Sequence, residues 1–141
     1  MSKQEEASLI LKLYGLRREE VLRKARTWFI QDFYPESIAD FNGTMLTEHG
    51  AYIRMVVTYW DMAAALVNDG AISLDLFNKS NLEHIVVFSK IEKLLPEIRA
   101  SFVPTFAKNL EELIDAMPDG RKTVAALRER MATFRALRAK H

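Results

Sequence analysis

The stretch that most limits how this chain can fold is Ala51 to Val67, AYIRMVVTYWDMAAALV, where only Arg54, Thr58 and Asp61 interrupt apolar and aromatic side chains. A helix that is apolar nearly all round belongs inside a fold, with other helices around it. It is too short and too charged to cross a bilayer, which takes about 20 mostly apolar residues. The spacing of Arg54, Thr58 and Asp61 puts them on one stripe of such a helix. Arg54 and Asp61 then stand roughly 10 Å apart along the axis, too far to pair with each other. A charge left alone in a protein interior costs several kcal/mol, so each needs solvent or a partner of its own.

The rest of the chain is punctuated sparsely. Five glycines and four prolines in 141 residues imply long helices, and strict apolar–polar alternation never runs far enough to make a strand. No solenoid repeat and no low-complexity segment is present. The length suits one domain able to bury its own core without staples. The lack of cysteine excludes disulfides, thiolate metal sites and cysteine nucleophiles, and suits a reducing compartment. The first residues, MSKQEEASLI, place two glutamates ahead of a short apolar run, unlike a signal peptide, so a cytoplasmic location without a membrane span is expected. Twenty basic residues against nineteen acidic give no overall pull toward nucleic acid. An apolar share of 49 % is at the upper end of the usual range, and the surplus suits a subunit interface.

The spacing predicts a helix over 4–33, with Leu9, Leu13, Leu16, Val21, Leu22, Ala25, Trp28 and Phe29 inward and Gly15 as a bend or break. Glu19–Arg23 and Glu20–Lys24 are expected as ion pairs on its outer side. Tyr34 precedes Pro35 and ends the helix. Ser37 caps a short helix carrying Ile38, Phe41 and Met45. The central helix stops at Asn68-Asp69-Gly70. Ser73 caps another short helix, and Asn78–Asn81 reads as a turn. A long helix is predicted over 82–95, with Pro96 kinking it or opening a new segment to Phe102. After Pro104 a helix buries Phe106, Leu110, Leu113, Ile114 and Met117. A last helix over 121–139 presents Val124, Leu127, Met131 and Phe134 as its seam.

The runs LILKLYGLRREEVLRKARTWF, AYIRMVVTYWDMAAALVNDGAISLDLF and VVFSKIEKLLPEIR together resemble a family of small bacterial proteins of acidobacterial type, all-helical and of unknown function. More remotely, the tryptophan followed by Asn-Asp-Gly-x-Ile is similar to a broader group of all-helical domains of unknown function. The resemblance implies an intracellular helical protein. It carries over no catalytic or binding residue.

His84 falls on the apolar face of its predicted helix, among Val87, Phe88, Ile91 and Leu95. The plain reading is a core histidine hydrogen-bonded to a neighbour. The sharper one has Asp61 holding one ring nitrogen while the other faces a cavity, as a base or ligand contact. Arg54, Tyr59, Trp60, Asp61 and His84 are therefore the candidate pocket residues. His49, His84 and His141 lack the spacing that puts two metal ligands on one helix face, so no metal and no cofactor are expected. No G-x-S-x-G elbow and no glycine-rich phosphate loop is present. Basic residues cluster at Arg17–Arg26 and along 121–140, where a solvated face is favoured over a nucleic-acid contact.

The expected architecture is all-α: a single domain over 1–141, with five to seven helices around residues 51–67. The expected function is a non-enzymatic module acting by self-association, as a homodimer for instance, or by binding a protein partner. The alternative is a small-molecule or sensing pocket between helices near Trp60, Asp61 and His84.

Overall fold

A computed structural model describes residues 2–141. It is all-helical, and no strand occurs among the described residues. The elements are α1 (Lys3–Arg17), α2 (Glu20–Asp32), α3 (Ile38–Met45), α4 (Gly50–Asn68), α5 (Leu74–Ser80), α6 (Glu83–Ile91), a 3-10 turn (Glu92–Leu94), α7 (Leu95–Ser101), α8 (Lys108–Ala116) and α9 (Gly120–Ala139). None of these helices is long and apolar enough to cross a membrane.

The central apolar stretch is α4, which packs against α2, α3, α5, α6 and α8. It buries Ile53, Val56, Val57, Tyr59, Trp60, Ala63, Ala64 and Val67 in a core shared with Phe29, Phe41, Phe77, Phe88, Leu110 and Leu113. Its polar stripe divides. Arg54 and Thr58 face solvent, Asp61 is half-buried, and Met62 beside them is exposed. The helix ends in a Schellman motif: Ala71 N–H donates to Leu66 O and Gly70 N–H to Val67 O. Gly70 takes the left-handed conformation this motif needs, at φ 89°.

Two stretches expected to be continuous are split. The 4–33 helix breaks at Arg18–Glu19, beyond Gly15. The Glu19 carboxylate accepts from the amides of Val21 and Leu22, starting α2 afresh. That use of Glu19 replaces its expected pair with Arg23; Glu20 and Lys24 do approach, at 3.8 Å. The 82–95 helix gives way at Ile91 to the 3-10 turn. Pro96 has no amide to offer Glu92 O, so Leu95 N–H bonds that carbonyl instead, three residues on. Asn78–Asn81 is not a free turn. Ser73 caps α5, which runs on through Ser80.

The last two helices start in an unusual way. Ala107 and Asp119, directly before α8 and α9, are the two described non-glycine residues with positive φ, at 56° and 52°. Neither supplies a side-chain cap. Gly120 sits so close to the end of α8 that a methyl group there would overlap Ile114 O. Arg121 then clamps the junction. It donates to Asp115 at 2.7 and 3.0 Å, to Glu92 at 2.9 Å and to Glu111 at 2.9 Å. Beyond this clamp α9 leaves the core. Of the expected seam Val124 is buried, Leu127 and Met131 are half-buried, and Phe134 is 69 % exposed. The expectation of a seam buried to Phe134 fails because α9 meets only α6 and α8 in any extent.

Candidate functional site

Polar side chains meet apolar surface in two places. The first is the centre, where α4 and α6 cross and the sequence placed its candidates. Trp60, 1 % exposed, donates its indole N–H to Glu83 Oε2 at 3.0 Å. Arg26 from α2 grips the same carboxylate with two bonds, at 2.7 and 2.8 Å. Glu83, at the first position of α6, thus ties three helices together. The Arg17 guanidinium lies 5.2 Å from the Trp60 ring centroid and 5.3 Å from that of Tyr14. The Tyr59 hydroxyl donates to Leu13 O, joining α4 to α1. Burial pushes the Tyr59 phenol up to about 12.

His84 is fully buried, with its ring 4.8 Å from Phe77 and 5.6 Å from Trp60. Its Nε2 lies 2.9 Å from Asn78 Oδ1, and Nδ1 has no hydrogen-bond partner. With Asn78 Oδ1 as acceptor, Nε2 carries the proton and the orphan is a lone pair. Burial, helped by the nearby Arg17 charge, pulls the His84 pKa down to about 3, so the ring is neutral at physiological pH.

Asp61 is engaged elsewhere. Its carboxylate accepts from Leu110 N–H at 2.9 Å and from Asn109 Nδ2 at 3.1 Å. Ala107 precedes α8 and has no side-chain oxygen, so α8 takes its N-terminal cap from Asp61 of α4. A carboxylate also suits the positive end of the helix dipole. The structure therefore brings Tyr59, Trp60 and His84 into one packed polar cluster, sends Asp61 to α8, and leaves Arg54 in solvent. Of the two readings of His84, the sharper one with Asp61 as its partner gives way to a bond with Asn78, which the sequence had assigned to a turn.

The second place is a groove of about 640 Å³ beneath the outer half of α9. Its floor is the Tyr34–Glu36 link after α2, together with Ser89 and Lys90 of α6 and Lys93 and Leu94 of the 3-10 turn. Its roof is the inner stripe of α9: Arg128, Met131, Ala132, Arg135, Ala136 and Ala139. Those positions recur at three and four, so one helix face builds the wall. The small side chains let α9 overhang without filling the space.

Two cations meet at Tyr34: the Lys90 ammonium is 3.7 Å and the Arg135 guanidinium carbon 3.8 Å from the ring centroid. Lys90 also donates to Ile30 O and Phe33 O, both at 2.8 Å, capping the carbonyl end of α2. Burial and the Arg135 charge lower its pKa to about 7, with Asp32 opposing. Arg128 is held by Glu92 and by Ser89 O. Among the described residues no carboxylate pairs with Lys90, Lys93 or Arg135.

None of the candidates from the sequence lines this groove. The sequence signal that marks it, left unused by the expected seam, is the arginines along 121–140 together with Ala132, Ala136 and Ala139 at helical spacing. Tyr34 and Lys90 gave no signal of their own, because the fold alone brings the end of α2 beside α6.

Charge follows the same division. Residues 1–117 hold 13 basic and 17 acidic side chains, and the remaining 24 hold seven and two. The model of a family described as a domain of unknown function, DUF4760, matches residues 4–117, so the chain belongs to that family and α9 lies outside the matched region. No curated protein and no solved structure matches the chain.

Proposed function

We propose that this DUF4760 member is a non-catalytic binding module whose ligand site is the groove beneath α9. The observation that carries the reading is the groove itself: about 640 Å³ of mostly apolar space, with Lys90 and Arg135 meeting at Tyr34 and Lys93 also in the lining. Small-molecule sites commonly hold about 300–1,000 Å³, lined by apolar groups with a few placed polar ones. The central cluster of Trp60, His84 and Glu83 supports stability in this reading: its side chains bond one another across the core, and none of them lines the groove beneath α9. A metabolite screen read by thermal shift tests it. A ligand that prefers the folded state raises Tm, by an amount set by its concentration over Kd. The rise is expected to vanish in Ala136→Trp, which fills the groove. A ligand whose shift survives Ala136→Trp would contradict the reading.

A second reading rests on the outer side of α9, where Phe134 and Leu137 are 69 % and 52 % exposed. Apolar side chains one helical turn apart on a solvated helix suit self-association or a protein partner. Light scattering on the eluting protein tests it: a dimer that Phe134→Ser dissolves supports the reading, and a monomer at every concentration removes self-association.

A further inference from the structure

Resting on that ligand-binding reading, we infer that the groove takes a monomeric amphipathic anion. The expected ligand is a carboxylate whose acid group sits among Lys90, Lys93 and Arg135 and whose tail lies along Met131, Ala132 and Ala136. Charge complementarity is the first support. Lys90 and Arg135 share one aromatic ring, at 3.7 and 3.8 Å, with no acid to separate them. An anion beside either of them lowers their mutual repulsion. Glu36, two residues on from Tyr34, is the one acid among the lining residues and has no cation paired with it among the described residues, and Arg128 is already matched by Glu92. The net charge of the rim is positive.

The second support is geometry. Ile30 O and Phe33 O fix the Lys90 ammonium at 2.8 Å each, which leaves one N–H for a ligand and holds it in place. The rest of the wall is largely apolar, through Leu94, Met131, Ala132, Ala136 and Ala139 on either side of Arg135. A site with a charged head and a smooth flank selects molecules built the same way. An inorganic anion would leave the flank wet, and a neutral lipid would leave the cations unpaired.

Titration calorimetry with octanoate, decanoate and dodecanoate, beside decanol and decyltrimethylammonium, tests the assignment on the full chain. Decanoate is expected to bind, the two uncharged or cationic analogues at least tenfold more weakly, and affinity to rise about fourfold per methylene until the groove is full. Arg135→Gln and Lys93→Gln are each expected to weaken decanoate about tenfold, the usual loss for a charge-assisted bond, with Arg135→Lys restoring part of it. Decanol binding equal to decanoate, untouched by Arg135→Gln but abolished by Ala136→Trp, would overturn the anion assignment and leave the groove as a ligand site. No binding by any of these amphiphiles, with thermal shifts from other ligands unaffected by Ala136→Trp, would overturn both. Sedimentation with anionic vesicles in the absence of decanoate binding would overturn the monomeric ligand in favour of a membrane surface.

Discussion

The longest helices of the molecule, α4 and α9, use their apolar residues in opposite ways. α4 has 19 residues and buries its length against five neighbours. α9 has 20 and buries only Gly120 and Val124. Both have apolar residues at helical spacing, and both start beside a close backbone approach at Gly50 or Gly120. Periodicity therefore predicts that a segment is helical and which face is apolar. It does not predict that anything will cover that face. Coverage depends on how many other elements reach it. Where few do, the uncovered face becomes a surface: here a groove on one side and exposed Phe134 and Leu137 on the other.

The largest effect expected from this contrast is at Trp60. Trp60→Ala removes a fully packed ring and the indole N–H that donates to Glu83, so it should cost about 3–5 kcal/mol by urea unfolding. Phe134→Ala, an equally drastic change on α9, should stay within about 0.5 kcal/mol. Comparable losses at the two sites would break the comparison.

Next comes acid stability. His84 titrates near 3 in the folded protein against 6.5 for a free histidine. Between those values the unfolded chain carries a proton that the native one lacks. Stability should therefore fall as pH drops through 6.5, by up to about 1.4 kcal/mol per pH unit. The carboxylates held low by hydrogen bonds, such as Glu19 and Glu111, start from 4.5 and contribute only below that. Lys90, lowered to about 7, contributes mainly above the histidine's range, so between about pH 6 and 5 the histidine supplies most of the slope. Unfolding curves of His84→Gln should be flatter there, and an unchanged slope would show that the ring is not held neutral.

The third and smaller effect concerns Asp61. Asp61→Ala should cost about 1–2 kcal/mol by removing the cap of α8. The loss should show as faster amide exchange at Lys108–Leu110, with His84 and its surroundings undisturbed. A disturbance at His84 with α8 intact would restore the pairing expected from the sequence.

Much of the fold could be read from the residues, for reasons that differ by element. The central helix declares itself because nearly every residue from Ala51 to Val67 is apolar. Ser37 and Ser73 mark their helix starts because a serine oxygen satisfies a first-turn amide, at 3.1 and 3.4 Å here. Breaks were harder. The α1–α2 boundary depends on Glu19 turning its carboxylate onto its own backbone, and glutamate is a common helix residue that seldom does so. The site was less legible still. Tyr59, Trp60 and His84 were recognised as polar groups in an apolar setting, and they do converge. Whether such a cluster closes on itself or lines a space depends on partners from other helices: Arg26, Asn78 and Glu83. The groove was hidden for the same reason in reverse. Its cations come from α6, the 3-10 turn and α9, and its walls are alanines that look like ordinary helix filler.

α4 is shielded by its neighbours, whereas α9 stands clear of the core beyond its first turns. Hydrogen exchange along the chain measures that directly. Amides from Ile53 to Val67 should exchange only through global unfolding, and those from Met131 to Ala139 should exchange by local opening at far lower cost. Protection of Met131–Ala139 equal to that of α4 in the isolated protein would contradict the account.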